Sequence, residues 1–339
     1  MVDLDKFIAK VTADFSPKHR RVIEGRFGLK SGNRATLQKI GDELHITRER
    51  VRQIESQAVG KLKTRVAAEA DSIIAASRTY LAGAGGIMRD DKFIRDLTHV
   101  LETADKNTKY PEAKIRFVLL VAGVPNFQAA DDFMHGFWYT DEKARDGFLG
   151  FVKRVKKTLE TSRRDEVLEK KVYLAECKDC ATAHFLNVPR IFGVNVFGDF
   201  GLREWPEIEP KTVRDKAYLV LKKEGKPLHF SDIAKFITRA GLSKRTAHVQ
   251  TVHNELIKDN RFVLVGRGIY ALTEHGFEPG TVREVIGKLL KKKGPLSSTE
   301  VVRLVNQQRI LKENTILLGL QNKRHFKRLT DGRYHIREA

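Results

Sequence analysis

Apolar residues recur at helical spacing along most of the chain. The spacing of three to four residues appears first around Phe7 and Val11, and again around Phe93 and Ile115. Residues at i, i+3 and i+4 lie on one face of an α-helix, so each of these segments predicts an amphipathic helix. Strand-like stretches are short. The pattern predicts a mainly α protein with a few small β-hairpins.

Two helical segments between residues 36 and 66 are separated by only two residues. The segments Thr36–Leu44 and Thr47–Val66 flank His45-Ile46, and each begins with a threonine where an N-cap residue belongs. A short helix, a tight turn and a longer helix form a helix-turn-helix. We assign this element to a first unit, residues 1–67.

The second of these helices has two chemically different faces. At 100° per residue, one stripe is apolar and is expected to pack against the preceding helices. That stripe consists of Val51, Ile54, Ala58 and Leu62. The opposite arc carries residue types that pair with base edges, since arginine bonds guanine, glutamate accepts from cytosine and glutamine bonds adenine. We call this arc the recognition face, and it consists of Arg48, Glu49, Arg52 and Gln53. A merely solvated helix surface is the alternative.

Three stretches occupy most of the first 65 residues: FSPKHRRVIEGRFGL, ATLQKIGDEL and ITRERVRQIESQAVGKLK. Together they closely resemble region four of housekeeping-type bacterial sigma factors. The resemblance implies that the helix-turn-helix binds the upstream (minus-thirty-five) promoter element and that the domain docks on the flap of RNA polymerase. It also implies base contacts from the recognition face. Thr36, Thr47 and Arg50 are then expected to contact the DNA backbone.

Two residues depart from that family's pattern. His45 stands in the turn where the family usually has glycine, so it must adopt a backbone conformation that glycine reaches at little cost. Gly60 lies inside the second helix, at a cost on the order of 1 kcal/mol relative to alanine. Neither residue lies on the recognition face.

The helices that precede Gly28 carry the candidate apolar contacts to the polymerase flap. These candidates are Val22, Ile23 and Phe27, and the alternative is that they pack under the recognition helix. The aromatic-rich helices by which a complete sigma factor melts a promoter are not seen anywhere in the sequence. The chain therefore resembles one region of a sigma factor joined to other domains.

The middle of the chain, residues 68–192, is predicted to be a helical or winged-helix domain. A strand pair is expected at Phe133–Thr140 and a helix at Glu142–Leu159, while Gly83–Gly86 is typical of a flexible linker. The helix has a basic face that either contacts phosphates or is simply solvated, formed by Lys153, Arg154, Lys156 and Lys157. Residues 193–210 are rich in glycine, proline and aromatic residues. They predict an extended connector whose Phe200 and Trp205 pack on a neighbouring surface.

An internal repeat occupies the C-terminal third. Segments that begin at Leu221 and Thr251 recur from Leu290 and Thr315 in the same order. Each copy predicts a basic helix, a helix capped by serine (Ser231 in the first copy, Ser297 or Ser298 in the second), a further helix and two short strands. The strands meet at Gly266–Gly268 and at Thr330–Gly332, where tight hairpins are expected. Three helices and a hairpin describe a winged helix, which we assign to residues 211–274 and 275–339.

The first copy resembles the HARE-HTH domain, a winged helix that occurs in the delta subunit of bacterial RNA polymerase and in DNA-associated proteins. PLHFSDIAKFI and TVHNELIKDNRFVLVGRGIYAL carry that likeness. The second copy differs by a cluster of cations at its hairpin: Lys323, Arg324, Lys327 and Arg328. These residues are suited to phosphate contact. The alternative is an ordinary solvated edge that discourages strand pairing.

The net charge supports a nucleic-acid partner. It is +20 over 339 residues, with a hydrophobic content of 41% that suffices for packed cores. No segment approaches the roughly 18 apolar residues of a spanning helix, and MVDLDKFIAK carries charge where a signal peptide is apolar, so we expect a cytoplasmic, nucleoid-associated protein without membrane contact. Cys177 and Cys180 are the only cysteines and lack the second pair of a structural zinc site. Their flanks suggest a continuous helix.

These features predict a bacterial DNA-binding transcription protein that is sigma-like or associated with RNA polymerase. Its partners are expected to be double-stranded promoter DNA and the polymerase. A free-standing regulator that never contacts polymerase is the first alternative. An enzyme, such as a nuclease or a DNA-modification accessory, is the second. Because the sequence shows no catalytic or acidic metal constellation, we expect no enzymatic activity, metal or cofactor.

Overall fold

The chain divides into two compact units in a computed structural model. The structure describes residues 3–101, 108–177, 180–277, 280–307 and 309–337, without the side chains of residues 180 and 181. One unit comprises Met1–Gly193 with Phe200–Leu202, and the other comprises Val194–Asp199 with Arg203–Ala339. The mainly α class predicted from the sequence is confirmed. No helix in the described ranges is long and apolar enough to cross a membrane.

The α-helices follow one another closely along both units. In chain order they are α1 Leu4–Val11, α2 Pro17–Phe27, α3 Leu37–Leu44, α4 Arg48–Glu69, α5 Asp71–Gly83, α6 Asp90–Val100, α7 Pro111–Ala122, α8 Glu142–Thr161, α9 Arg164–Leu168, α10 Cys180–Ala183, α11 Val213–Glu224, α12 Phe230–Arg239, α13 Val249–Lys258, α14 Val282–Lys293, α15 Ser298–Asn306 and α16 Glu313–Leu320. Short 3₁₀ helices lie at Val172–Glu176, His184–Asn187 and Thr273–His275.

The strands are short and form small antiparallel sheets. They are β1 Ile87–Arg89, β2 Asn126–Gln128, β3 Phe137–Tyr139, β4 Phe192–Val194, β5 Phe200–Leu202, β6 Leu228–His229, β7 Phe262–Gly266, β8 Ile269–Leu272, β9 Phe326–Arg328 and β10 Tyr334–Ile336. The sheet orders are β1-β3-β2, β4-β5, β6-β8-β7 and β10-β9.

A winged helix that the sequence only suggested runs from α5 to β3 among the described residues. Its order is helix α5, strand β1, helices α6 and α7, then strands β2 and β3, with β3 in the centre of the sheet. The helices and strands from α11 to β8 follow the same order, and their sheet is arranged in the same way. In the third such domain, Leu296 bridges Tyr334 of β10, in the position that β1 and β6 occupy. The part of the chain that the structure describes therefore contains three winged helices rather than the two detected as a repeat.

Two expectations for the middle of the chain were wrong. Phe133–Thr140 contains one strand, β3, which pairs with β1 and β2 instead of forming a hairpin by itself. Gly83 ends α5, and the next three residues form a tight turn inside the winged helix and not a flexible linker. Gly86 has φ +83°, and a Cβ there would lie 2.9 Å from the Oγ1 of Thr140, so both the backbone angle and the close approach favour glycine.

Helix α7 joins this winged helix to the N-terminal helices. Phe117 is fully buried, and its ring meets that of Phe27 edge to face with centroids 4.9 Å apart. Even Lys114 is only 3% exposed, and its ammonium group bonds the carboxylate of Asp5 at 2.5 Å. A single hydrophobic cluster runs from Leu62 of α4 through α7 to the winged helix. The C-terminal half of α4 therefore shares a core with the middle winged helix, whereas its first turns pack with α3 in a smaller cluster.

The rest of the first unit packs on the middle winged helix. Helix α8 is observed where a helix was predicted, but the segment around the cysteines is not a continuous helix. It consists of short helical pieces, and Cys177 is extended, with φ −86° and ψ 93°. The side chain of Cys180 lies outside the described residues. The predicted connector forms the β4–β5 hairpin instead of an extended chain, although Phe200 and Trp205 are buried as expected.

The second unit contains two winged helices with separate cores. The predicted cap at Ser297 is confirmed, since its hydroxyl and the Glu300 carboxylate form a capping box at α15. The predicted cap at Ser231 is wrong, because His229 caps α12 and accepts from the Ser231 amide. The two domains are tied by the loop before α16. The amide of Ile310 donates to the carbonyl of Val265 on the outer edge of β7 at 2.8 Å.

Replacement of Phe117 by alanine should destabilise the N-terminal helices together with the winged helix, because both pack on this ring. A fully buried phenylalanine truncation costs about 3–5 kcal/mol. Hydrogen exchange, followed peptide by peptide, should show faster exchange in α4 and α6 as well as in α7. Phe133→Ala is the control, since that side chain is 68% exposed and its loss should change stability by less than about 0.5 kcal/mol. Unchanged exchange in α4 would show that the core is not shared.

Candidate nucleic-acid interface

Threonine caps begin both helices of the helix-turn-helix. The Oγ1 of Thr36 accepts from the amide of Lys39 at 3.1 Å, and the Oγ1 of Thr47 accepts from the amide of Arg50 at 3.2 Å. Each hydroxyl keeps its own proton as a donor, and each lies beside the amide groups of a helix N-terminus. Thr36 and Thr47 are exposed, so both helix starts are available to phosphate oxygens.

The apolar stripe of α4 is buried as predicted. Val51, Ile54, Ala58 and Leu62 are each at most 1% exposed. Since they fix the rotation of the helix, the four residues of the recognition face all lie in solvent on its first turns. This exposure agrees with base contact, which remains a prediction.

The turn between α3 and α4 depends on a left-handed residue, His45, and on a close approach of the backbone at Gly41. His45 adopts the left-handed conformation with φ 52° and ψ 47°, as expected for a position where the similar family uses glycine. A non-glycine residue there costs on the order of 1 kcal/mol or more. At Gly41 an added Cβ would lie 2.7 Å from the carbonyl oxygen of Ile46, so a side chain would push the two helices apart.

Side chains of the recognition face pair with one another and with Arg50. The Nη2 of Arg52 donates to Glu49 Oε1 at 2.7 Å, and Nε donates to Oε2 at 2.9 Å. This bond lowers the pKa of Glu49 and raises the pKa of Arg52. Arg50 donates to the Oε1 of Gln53 at 3.0 Å. These bonds are exposed, where water and salt screen them, so DNA can replace them at small cost.

Val22, Ile23 and Phe27 do not form an exposed apolar surface. Val22 belongs to the core between α3 and α4, while Ile23 and Phe27 belong to the cluster shared with α7. The three side chains are at most 9% exposed. Their assignment as contacts to the polymerase flap is wrong for this structure, because these residues support the helix-turn-helix from within.

The cations predicted in the last winged helix surround its hairpin. Lys323, Arg324, Lys327 and Arg328 are all exposed, and none of the four forms an ion pair with another described residue. The basic face of α8 differs, since Arg154 bonds Glu176 at 3.1 Å and Lys156 lies 3.5 Å from Glu160. The hairpin therefore has the stronger uncompensated charge.

Sequence reasoning missed Arg337 as a member of the hairpin cluster. Its Nη1 donates to the carbonyl of Lys323 at 2.9 Å, although the two residues are fourteen positions apart. The strand register, in which Ile336 pairs with Phe326, returns the chain to the start of the hairpin. Knowledge of this strand register would have identified Arg337 as part of the cluster.

Two parts of the chain match models of known families. Residues 13–64 match sigma-70, region 4. Residues 211–275 match HARE-HTH, the helix-turn-helix domain named for ASXL and restriction endonuclease proteins among others. Both are DNA-binding helix-turn-helix domains. The resemblances seen in the sequence are thus confirmed for these two segments.

Several curated sigma factors are similar to a short part of this chain. RNA polymerase sigma factor SigA of Clostridium acetobutylicum is 40% identical over 60 residues, which cover 18% of this chain and 16% of that protein. RNA polymerase sigma factor sigB of Arabidopsis thaliana is 46% identical over 63 residues, or 19% of this chain and 10% of that protein. SigA of Nostoc is 45% identical over 56 residues, covering 16% and 14%. The match spans less than a fifth of each of these relatives.

Arg52→Ala should lower affinity for a preferred duplex roughly 5- to 150-fold while affinity for random DNA falls far less, because the variant cannot form the bidentate bond to a base. The preferred duplex is first selected from a random library. Lys63→Ala is the matched control, since Lys63 lies on the same helix beyond its first turns and carries the same charge. Equal weakening on both DNAs would instead assign Arg52 to a phosphate.

Proposed function

We propose that this protein is a bacterial transcription protein that recognises promoter DNA through α4 and associates with RNA polymerase. The observation that carries the proposal is the recognition face itself. Four side chains that can hydrogen-bond to base edges are exposed on the first turns of a capped helix. The apolar stripe on the opposite side of that helix is fully buried. The match of residues 13–64 to sigma-70, region 4 supports the promoter as the target. The protein would then act on the nucleoid, in the cytoplasm.

The backbone contacts in this proposal come from both units. Thr36, Thr47 and Arg50 flank the recognition face and contact the phosphates beside the bases that it reads. The hairpin cations of the last winged helix add contacts that do not depend on sequence. The net charge of +20 supports a large phosphate contribution to affinity.

Polymerase association rests on the family match and not on an exposed apolar surface. The helix α7 covers part of the N-terminal domain from behind, and Val22, Ile23 and Phe27 are buried. A contact with the flap would therefore use polar or half-buried residues of α1 and α2. The same burial favours a second candidate function, a free-standing regulator whose N-terminal domain binds DNA alone.

Transcription with purified components separates these two functions. The protein should bind core polymerase or holoenzyme but should not start transcription with core enzyme alone on a duplex promoter. Its effect should appear when a complete sigma factor is added, as a change in promoter choice or occupancy. Arg52→Ala should remove that promoter effect and leave polymerase binding intact. Robust initiation with core alone would contradict the proposal, and failure to bind polymerase in any form would favour the free-standing regulator.

Substitution of the four hairpin cations by glutamine should weaken DNA binding almost equally on all sequences. The slope of log affinity against log salt should flatten by roughly 0.9 for each phosphate that is no longer bound. The matched control replaces Lys153, Arg154, Lys156 and Lys157 of α8, which removes the same charge from a face that is partly neutralised. An equal change of slope in both variants would show that only net charge matters.

A further inference from the structure

We propose that the last winged helix holds one unstacked nucleotide of a single strand in a groove beside its hairpin. The phosphate would lie among the cations, and the base would stack on Tyr334. The inference goes beyond duplex recognition by α4. It rests on the proposed function only because it assumes that the anionic ligand of the cations is a nucleic acid.

The groove has a volume of about 590 Å³ and is bordered by four cations. They are Lys323, Lys327, Arg328 and Arg337. Small-molecule sites typically measure roughly 300–1,000 Å³, so there is room for more than a phosphate. A concave site with an aromatic wall suits a base that has left the stack.

Charge in the groove is of one sign. No carboxylate borders it among the described residues, and none of its four cations forms an ion pair there. Arg337 uses a guanidinium donor on the Lys323 carbonyl, and Arg328 donates to the Gly332 carbonyl at 3.4 Å. A guanidinium has five N–H donors, so each arginine is oriented by the backbone and still has donors for phosphate oxygens.

The aromatic wall is placed for stacking. Tyr334 pairs directly with Arg328 across the hairpin, and the guanidinium lies 6.0 Å from the ring centroid. A base that stacks here would take the place of the Arg328 guanidinium above the tyrosine ring, and the displaced guanidinium would remain close enough to bind its phosphate. Gln321, at the rim, can donate to or accept from a base edge.

The first C-terminal winged helix provides an internal comparison. With the offset of 64 residues, Tyr334 corresponds to Tyr270, which is 3% exposed. The four cations correspond to Asp259, Val263, Leu264 and Thr273. In the first copy, the tyrosine ring is part of the hydrophobic core, and none of these four positions carries a cation. The second copy exposes the ring partly and surrounds it with charge, so the groove is not a by-product of the fold.

Fluorescence anisotropy of the full protein with labelled oligo(dT) tests the groove. Tyr334→Leu keeps an apolar side chain but loses the ring, and it should weaken binding roughly 5- to 100-fold. Tyr334→Phe keeps the ring and should bind within about twofold of the parent protein. Arg337→Gln should weaken binding, whereas Arg324→Gln, which removes a neighbouring cation that does not border the groove, should have a smaller effect. Circular dichroism and thermal melting check that each variant is folded.

Photo-crosslinking locates the base directly. Oligo(dT) that contains 5-iodouracil should crosslink to Tyr334 in the parent protein. A parallel experiment with oligo(rU) identifies whether the groove prefers DNA or RNA. Binding of either strand that weakens in Tyr334→Leu supports the groove. If Tyr334→Leu binds oligo(dT) as well as the parent protein does, the groove is only a cationic surface and the proposal is overturned. The duplex assay with Arg52→Ala measures the recognition face independently of oligo(dT), so the groove and the recognition face fail or succeed separately.

Discussion

The burial of α7 on both sides is the constraint on which the first unit depends. One side of this helix completes the middle winged helix, and the other side fills the space behind α4. Because protein interiors are close-packed, the position of α4 is determined by α7, which begins at Pro111, well beyond the end of α4 at Glu69. The recognition face thus belongs to a compact unit that also contains the middle winged helix, rather than to a small separate domain.

The same helix explains where prediction from sequence succeeded and where it stopped. Helices α3 and α4 have strong local signals, since threonine caps and a one-sided apolar stripe define their bounds and their rotation. Helix α7 is buried nearly all round, so its apolar residues do not select one face, and the sequence shows a helix without showing what it contacts. Strands β1, β2 and β3 have three residues each, too few for alternation to be recognised. Hence the sequence could not decide between a helical domain and a winged helix for the middle of the chain.

In the candidate site, the sequence predicted which side chains share a face but not what each one touches. The pairing of Glu49 with Arg52 follows from their spacing on a helix. The burial of Val22, Ile23 and Phe27 depends on α7, and the place of Arg337 depends on strand register. Both are long-range effects. The three winged helices also use one topology differently: the middle one buries its third helix, and the last one concentrates charge at its hairpin.

The contact between the two C-terminal winged helices affects how this part of the chain can be divided. Strand β7 lies at the edge of its sheet, and an open edge with apolar side chains is a template for aggregation. Here the amide of Ile310 and the guanidinium of Arg309 occupy the carbonyls of Val265 and Leu264. The segment that matches a known domain ends at residue 275, before these two residues. A cut at that boundary would therefore leave the carbonyls of Val265 and Leu264 at the strand edge without these two donors.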